Sequence, residues 1–386
     1  MPRASAVSCI AALALAVCTA HAATKQERLA QARELARSGR PGDAAEIYQE
    51  LYEAAPSDLS LRFQLAVARQ MSGEFDAAAE HCRALVEQRP DFPPAWLFLG
   101  AALLRGGHAQ EAVVAAARAM ALGVADPSAP LMLGEALLQA DEPREAATQF
   151  VVAAKTLPDN PRVWYGLERS CALLAANPAP MATPCSSDDL DCALREERFA
   201  ALGAEALERL NALPPSSQAH ELEARALDAR GMSREAAEQW RRALELDPKS
   251  DSLKLGLASA LRLASDCETA LPLIEQLPES AQTLFLEGDC LLSLERAPEA
   301  VEPLRRAIEL DPSLLAASGR LGSAYVKLGR RQEAIEPLER ALPADQDGSF
   351  HYSLARAYRA LGQNEQARAA LAKSQQLRSA AGPEAH

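Results

Sequence analysis

Apolar and small residues recur along this chain in paired stretches of helical spacing, such as 61–70 followed by 75–88, and the pairs repeat. Apolar positions three and four apart predict amphipathic helices. Pro56, Pro90 and Pro158 each close a pair and stand 34 and 68 residues apart, one and two periods. The unit 93–126 carries Trp96, Leu99, Gly100 and Leu103 on its first stretch and Ala112, Ala116 and Ala119 on its second. The unit 127–160 repeats this with Leu133, Gly134, Leu137, Ala146, Phe150, Ala153 and Pro158. Small residues let neighbouring backbones approach, and large ones fill the space beside them. A fixed period of this length predicts a stacked helical array in place of a closed globule. No alternating β-branched run is long enough to predict a strand.

The pattern recurs in 281–314, with Gly288, Leu291, Ala300, Leu304, Ala307 and Pro312, and in 315–347, with Leu321, Gly322, Tyr325, Ala334, Leu338 and Ala341. Two second stretches end in Ala243-Leu244-Glu245-Leu246-Asp247-Pro248 and Ala307-Ile308-Glu309-Leu310-Asp311-Pro312. Proline stops a helix there because it has no N–H to donate and restricts the residue before it. Taken together these residues resemble the tetratricopeptide repeat family. The resemblance covers nearly all of 25–379 and implies an all-α, right-handed α-solenoid of about ten helix-turn-helix repeats.

The period also sets the expected organisation. An N-terminal array, 23–174, begins with units 25–58 and 59–92, which place Arg28 and Arg62 where the family often has a large apolar residue. Ala44, Tyr48, Leu51 and Pro56 keep the first of these in phase. The unit opening at Pro161 starts well with Trp164, Leu167 and Cys171, and then meets a Pro/Ser/Asp-rich insertion, 175–194. A C-terminal array, 195–379, contains one short unit, 251–280, where Leu277-Pro278 ends the second helix early. It closes on 348–379, with Leu354, Ala355, Tyr358, Ala367 and Leu371, and residues 380–386 form a frayed tail.

The amino terminus breaks the pattern. Arg3 precedes an apolar stretch, 4–17, and Ala20 and Ala22 supply the small residues that a signal peptidase reads. This predicts a signal peptide, 1–22, with cleavage before Ala23, and an exported, periplasmic or secreted protein. The stretch is shorter than the roughly 20 residues that span a bilayer, so no integral membrane span is expected. A lipid anchor at Cys18 is disfavoured because Val17 is larger than the small residue usual before a lipidated cysteine. With 53 acidic against 40 basic residues the formal charge is −13, and no basic stripe is present. Nucleic-acid affinity rests on neutralising phosphates, so nucleic acid is not an expected partner.

Candidate chemistry is sparse. Six cysteines lie after residue 22: Cys82, Cys171, Cys185, Cys192, Cys267 and Cys290. Cys82 and Cys171 fall at core positions and read as small hydrophobes. Cys185 and Cys192 would be roughly 10 Å apart on a helix, beyond disulfide reach, so a bridge needs a turn at Ser186-Ser187-Asp188-Asp189. A redox-active pair is the rival reading, disfavoured by the spacing and by the acids at 188, 189 and 191. Cys267 and Cys290 fall at one end of the stack, where a bridge and two separate thiols stand as equal alternatives. The histidines are scattered, with no zinc-ligand spacing and no metal or cofactor expected. No serine sits in a nucleophile-elbow context, and no enzyme activity is predicted.

In the tetratricopeptide arrangement, positions two, five, nine and twelve of the first helices would face a concave groove. That implies a protein or peptide partner held by Phe63, Val67, Leu97, Leu104, Leu131 and Leu138, then by Tyr165, Arg169, Arg225, Arg262, Tyr352, Arg356 and Arg359, with Glu135, Asp228 and Asp289 interspersed. Apolar grooves suit a partner helix, and Arg/Tyr-lined ones suit acidic segments. For the leucines, packing within the stack is an equal alternative. The Lys/Asn/Arg clamp of some family members is absent: Leu29, Arg33, Phe63, Val67, Leu97 and Ala101 occupy its places. The expected function is a non-enzymatic interaction scaffold in an envelope or extracellular assembly. The alternative is an accessory binding protein for polysaccharide or cell-wall synthesis and export.

Overall fold

The computed structural model describes residues 25–175, Leu190, Leu194 and 198–381. The expected signal peptide, most of the expected insertion with Cys185 and Cys192, and the end of the expected tail lie outside them. Among the described residues every regular element is helical.

The chain divides into two compact units, Met1–Leu210 and Asn211–His386. In the first, helical hairpins follow one another: α1 (25–37) with α2 (Pro41–Ala54), α3 (Leu59–Met71) with α4 (Phe75–Gln88), and α5 (Pro93–Arg105) with α6 (Ala109–Ala121). Then come α7 (Ala129–Gln139), α8 (Pro143–Thr156), α9 (Pro161–Ala175) and α10 (Phe199–Asn211).

The second unit runs α11 (Ser217–Ala229), α12 (Ser233–Leu246), α13 (Asp251–Leu263), α14 (Cys267–Ile274) and α15 (Ala281–Ser293). It continues with α16 (Ala297–Leu310), α17 (Leu315–Lys327), α18 (Arg331–Ala341), α19 (Ser349–Ala360) and α20 (Asn364–Ala381).

Consecutive helices pack on each other from α2 to α9 in the first unit and from α11 to α20 in the second. First helices also touch the first helices of the next hairpin, as α5 does α7, α7 does α9, and α15 does α17; among the described residues second helices have no comparable contact. The first helices therefore form the inner row of each unit. This is the nearest-neighbour packing of an α-solenoid.

Local chemistry explains the boundaries. Within a hairpin the first helix ends in a left-handed residue, such as Gly107 at φ 81°. There the His108 N–H donates to the Leu103 carbonyl at 2.8 Å and the Gly107 N–H to that of Leu104, which satisfies carbonyls the helix leaves free. Asp141, Ser265 and Glu295 hold the same left-handed conformation without being glycine. Between hairpins, an extended residue such as Asp247 or Asp311 precedes proline. The next helix then starts under a side-chain cap: Asp58 accepts from the Ser60 and Leu61 N–H groups, and Ser250 from that of Leu253.

Packing follows the large/small rule. Phe150 is fully buried between Gly134 of α7 and Gly166 of α9. Leu304 fills the space against Gly288, and Leu338 against Gly322. Trp96 and Trp164 donate their indole N–H groups to the carbonyls of Pro90 and Pro158, at 3.0 and 2.7 Å, and so brace the turns between hairpins. The short unit is visible as α14, of 8 residues with Pro272 inside it, against 14 for α16.

Candidate functional site

The first-helix rows are where the sequence places a partner. In the first unit, Phe63 meets Phe92 and Phe98 edge-on, with ring centroids 5.6 and 5.1 Å apart. All three rings are half-buried, as are Val67, Leu104 and Leu138. Leu97 and Leu131 are buried; Leu97 packs with Ala119 and Ala129, so both serve the stack. Glu135 pairs with Arg162 of α9 at 2.8 Å. Tyr165 and Arg169 are half-buried on α9.

The second unit presents a charged row. Arg225 pairs with Glu221 at 2.6 Å and lies over the Trp240 ring, 5.9 Å from its centroid. The Trp240 N–H donates to Asp228 at 2.9 Å, and burial holds the Asp228 carboxyl above its ordinary range against that bond. Arg262 of α13 donates from Nη1 to Asp289 of α15 at 2.9 Å, and Arg320 of α17 reaches the other carboxylate oxygen at 2.7 Å. Asp289 is only 3 % exposed, while its partners are 22 and 40 % exposed. One buried carboxylate thus links three successive first helices and engages both guanidinium groups. Burial raises the neighbouring Asp347 carboxyl, but hydrogen bonding from Ser349, aided by Asp345 and least of all by Arg320, outweighs it and holds the group below its ordinary range.

At the end of the row the cations are uncommitted. Tyr352, Arg356 and Arg359 are exposed on α19, three and four residues apart and therefore on one face. Neither Arg356 nor Arg359 has an ion pair among the described residues. Arg378 of α20 stacks over Tyr352 at 5.2 Å, adding a third guanidinium.

Phe98, Arg320 and Arg378 were not among the residues predicted to line the row. Phe98 and Arg320 both stand six positions into their units, next to a position the resemblance assigns to the groove.

Cys82, Cys171, Cys267 and Cys290 are buried. Burial pushes the Cys82 thiol up to about 12. Among the described residues no group of three or more His, Cys, Asp or Glu could hold a metal ion, and no helix is long and apolar enough to cross a membrane.

Family models described as tetratricopeptide repeat match residues 35–103 and 291–352, 221–277, and 348–373. No curated protein matches the chain. Among solved structures the chain is similar to YrrB, titled a TPR protein with an unusual peptide-binding site, at 22% identity and TM-score 0.34, covering 42% of this chain and 86% of that one. It is similar to MamA at 20% identity and TM-score 0.35, covering 40% and 94%. A tetratricopeptide repeat protein from Parabacteroides merdae ATCC 43184 aligns over 77% of this chain and 97% of its own, at 12% identity and TM-score 0.42.

Proposed function

Because the chain belongs to the tetratricopeptide repeat family, we propose that it is a non-enzymatic scaffold whose first-helix rows hold a segment of another protein, and that the C-terminal row takes an acidic one. One observation carries this reading: Tyr352, Arg356 and Arg359 share an exposed face, with no ion pair among the described residues, in a chain of formal charge −13. Guanidinium groups bind carboxylates in fixed, often bidentate geometry, and Tyr352, one turn before Arg356, adds apolar contact beside them. The helices are already in place, so binding costs little rearrangement of the scaffold. In the first unit the half-buried Phe63, Phe98, Val67 and Leu104 suit an apolar partner face.

The polysaccharide alternative has less support, since sugar sites want exposed aromatic platforms. Trp164 and Trp240 are buried, and Trp96 is bonded to the Pro90 carbonyl. An envelope or extracellular setting rests on the sequence of 1–22, and N-terminal sequencing of the mature chain, expected to begin at Ala23, checks it.

The binding test is quantitative capture from an envelope fraction by the full chain, its Arg356→Glu/Arg359→Glu variant and its Arg356→Lys/Arg359→Lys variant. Partners rich in acidic segments should be lost from the glutamate variant and largely kept by the lysine one. Identical capture by all three sinks the assignment to this face.

A further inference from the structure

Arg262 of α13, five residues before Cys267, pairs at 2.9 Å with Asp289 of α15, the residue before Cys290. Asp266 caps α14 by accepting from the Thr269 N–H, and Cys267, the first residue of the helix, is 2 % exposed. Cys290, late in α15, is 0 % exposed. The helices that carry the two thiols pack together, and the thiols are near enough for Cys267 to act on the protonation of Cys290. Two buried cysteines this close are a chemically distinct feature, because small apolar residues would fill the same space without redox chemistry.

We propose that Cys267 and Cys290 are joined by a disulfide in the mature protein, tying the first residue of α14 to α15. The joint needs such a tie more than the others do. At 8 residues α14 is the shortest of the α-helices described and offers the least length to pack against its neighbours. A cross-link between residues 267 and 290 removes loop-closure entropy from the unfolded chain.

The reaction is thiol–disulfide exchange with a disulfide donor, either glutathione disulfide or a disulfide-carrying oxidoreductase. One cysteine thiolate attacks the donor's S–S bond and releases one donor thiol. The second cysteine then displaces the remaining donor sulfur from the mixed disulfide. The pair loses two protons and two electrons, and the donor becomes two thiols. Burial, followed by the influence of Cys267, pushes the Cys290 thiol well up, away from its reactive form. The exchange therefore belongs to folding, before α14 and α15 close, and the finished bond is shielded from mild reductant.

The test uses the full chain with Cys185→Ser/Cys192→Ser, so that the insertion contributes no thiol. The chain is refolded with glutathione disulfide, unfolded, alkylated, reduced and labelled with a second reagent. Cys82 should take the first label, whereas Cys267 and Cys290 should take only the second, with a linked peptide two hydrogens lighter before reduction. First-label alkylation of Cys267 and Cys290 to the level of Cys82 overturns the proposal, as does linkage of either to another cysteine. A second measurement needs no change at the pair itself: the thermal midpoint after refolding with glutathione disulfide should exceed that after refolding with reductant by about 10 °C. Equal midpoints also overturn it. Cys267→Ala/Cys290→Ala should show the lower midpoint under both conditions.

Discussion

The Phe150 ring occupies the space that a side chain at residue 166 would need: a Cβ built on Gly166 would lie 2.2 Å from the ring's Cζ. Phe150 belongs to one hairpin and Gly166 to the next, so this contact sets how closely consecutive repeats approach. Gly166→Ala should destabilise the chain by about 1–3 kcal/mol through overpacking. In a double-mutant cycle, Phe150→Leu should recover part of that loss, because the two positions share one space. Urea unfolding measures both, and an unchanged midpoint for Gly166→Ala would contradict the packing described.

Asp289 is buried between Arg262 and Arg320 and holds three first helices together. Its removal frees two cations that can still reach water, so Asp289→Ala should cost about 2 kcal/mol, below the range for a wholly buried pair. Arg320→Ala should cost less, about 1 kcal/mol or under, because Arg262 still satisfies the carboxylate. Denaturation at low and high salt distinguishes them. If Arg320→Ala costs as much as Asp289→Ala, the ordering is wrong.

How much of this was legible in the sequence differs by level. The period, the hairpins and the short unit were legible, because proline stops, glycine contacts and core positions act within one repeat or on its nearest neighbour. The row was only partly legible. Leu97 and Phe63 stand at the same repeat position, yet Leu97 is covered by Ala119 and Ala129 of the following elements while Phe63 stays half-buried. Arg262 reads as a free groove cation until its partner, Asp289, is placed beside it across the short unit. Burial at these positions depends on how far the next hairpin is displaced, and single positions in a repeat do not encode that.

Stability should depend on pH through Glu223. Burial pushes its carboxyl above the ordinary value of 4.5, against the lesser opposing influence of His220 and Arg242. A folded value above the unfolded one means that this contribution is full below about 4.5 and is lost as pH rises through the raised folded value. The Gln239 side-chain N–H donates to Glu223 at 2.9 Å, an interaction an amide oxygen can also accept. Glu223→Gln should therefore match the wild type near pH 4 and exceed it near pH 7. Urea midpoints at the two pH values decide it; a variant weaker at both would show that the negative charge itself is needed.

Ser265 holds a left-handed backbone, at φ 64°, where most of the other hairpins place glycine. Its N–H and that of Asp266 make the same two turn bonds as the glycine-containing hairpins do. Ser265→Gly should stabilise the chain by about 1 kcal/mol by relieving the Cβ contact, less the added freedom of the unfolded chain. A lower thermal midpoint for this variant would show that the serine is doing something the turn geometry does not reveal.

The indole bonds at the turns have an optical corollary. Trp96 and Trp164 each probe one joint of the first unit through a bond to a proline carbonyl, whereas Trp240 is bonded to Asp228 inside the second. Single-tryptophan chains, with the other two replaced by phenylalanine, would turn native fluorescence into a map of which joint loosens first when the protein is heated or loaded.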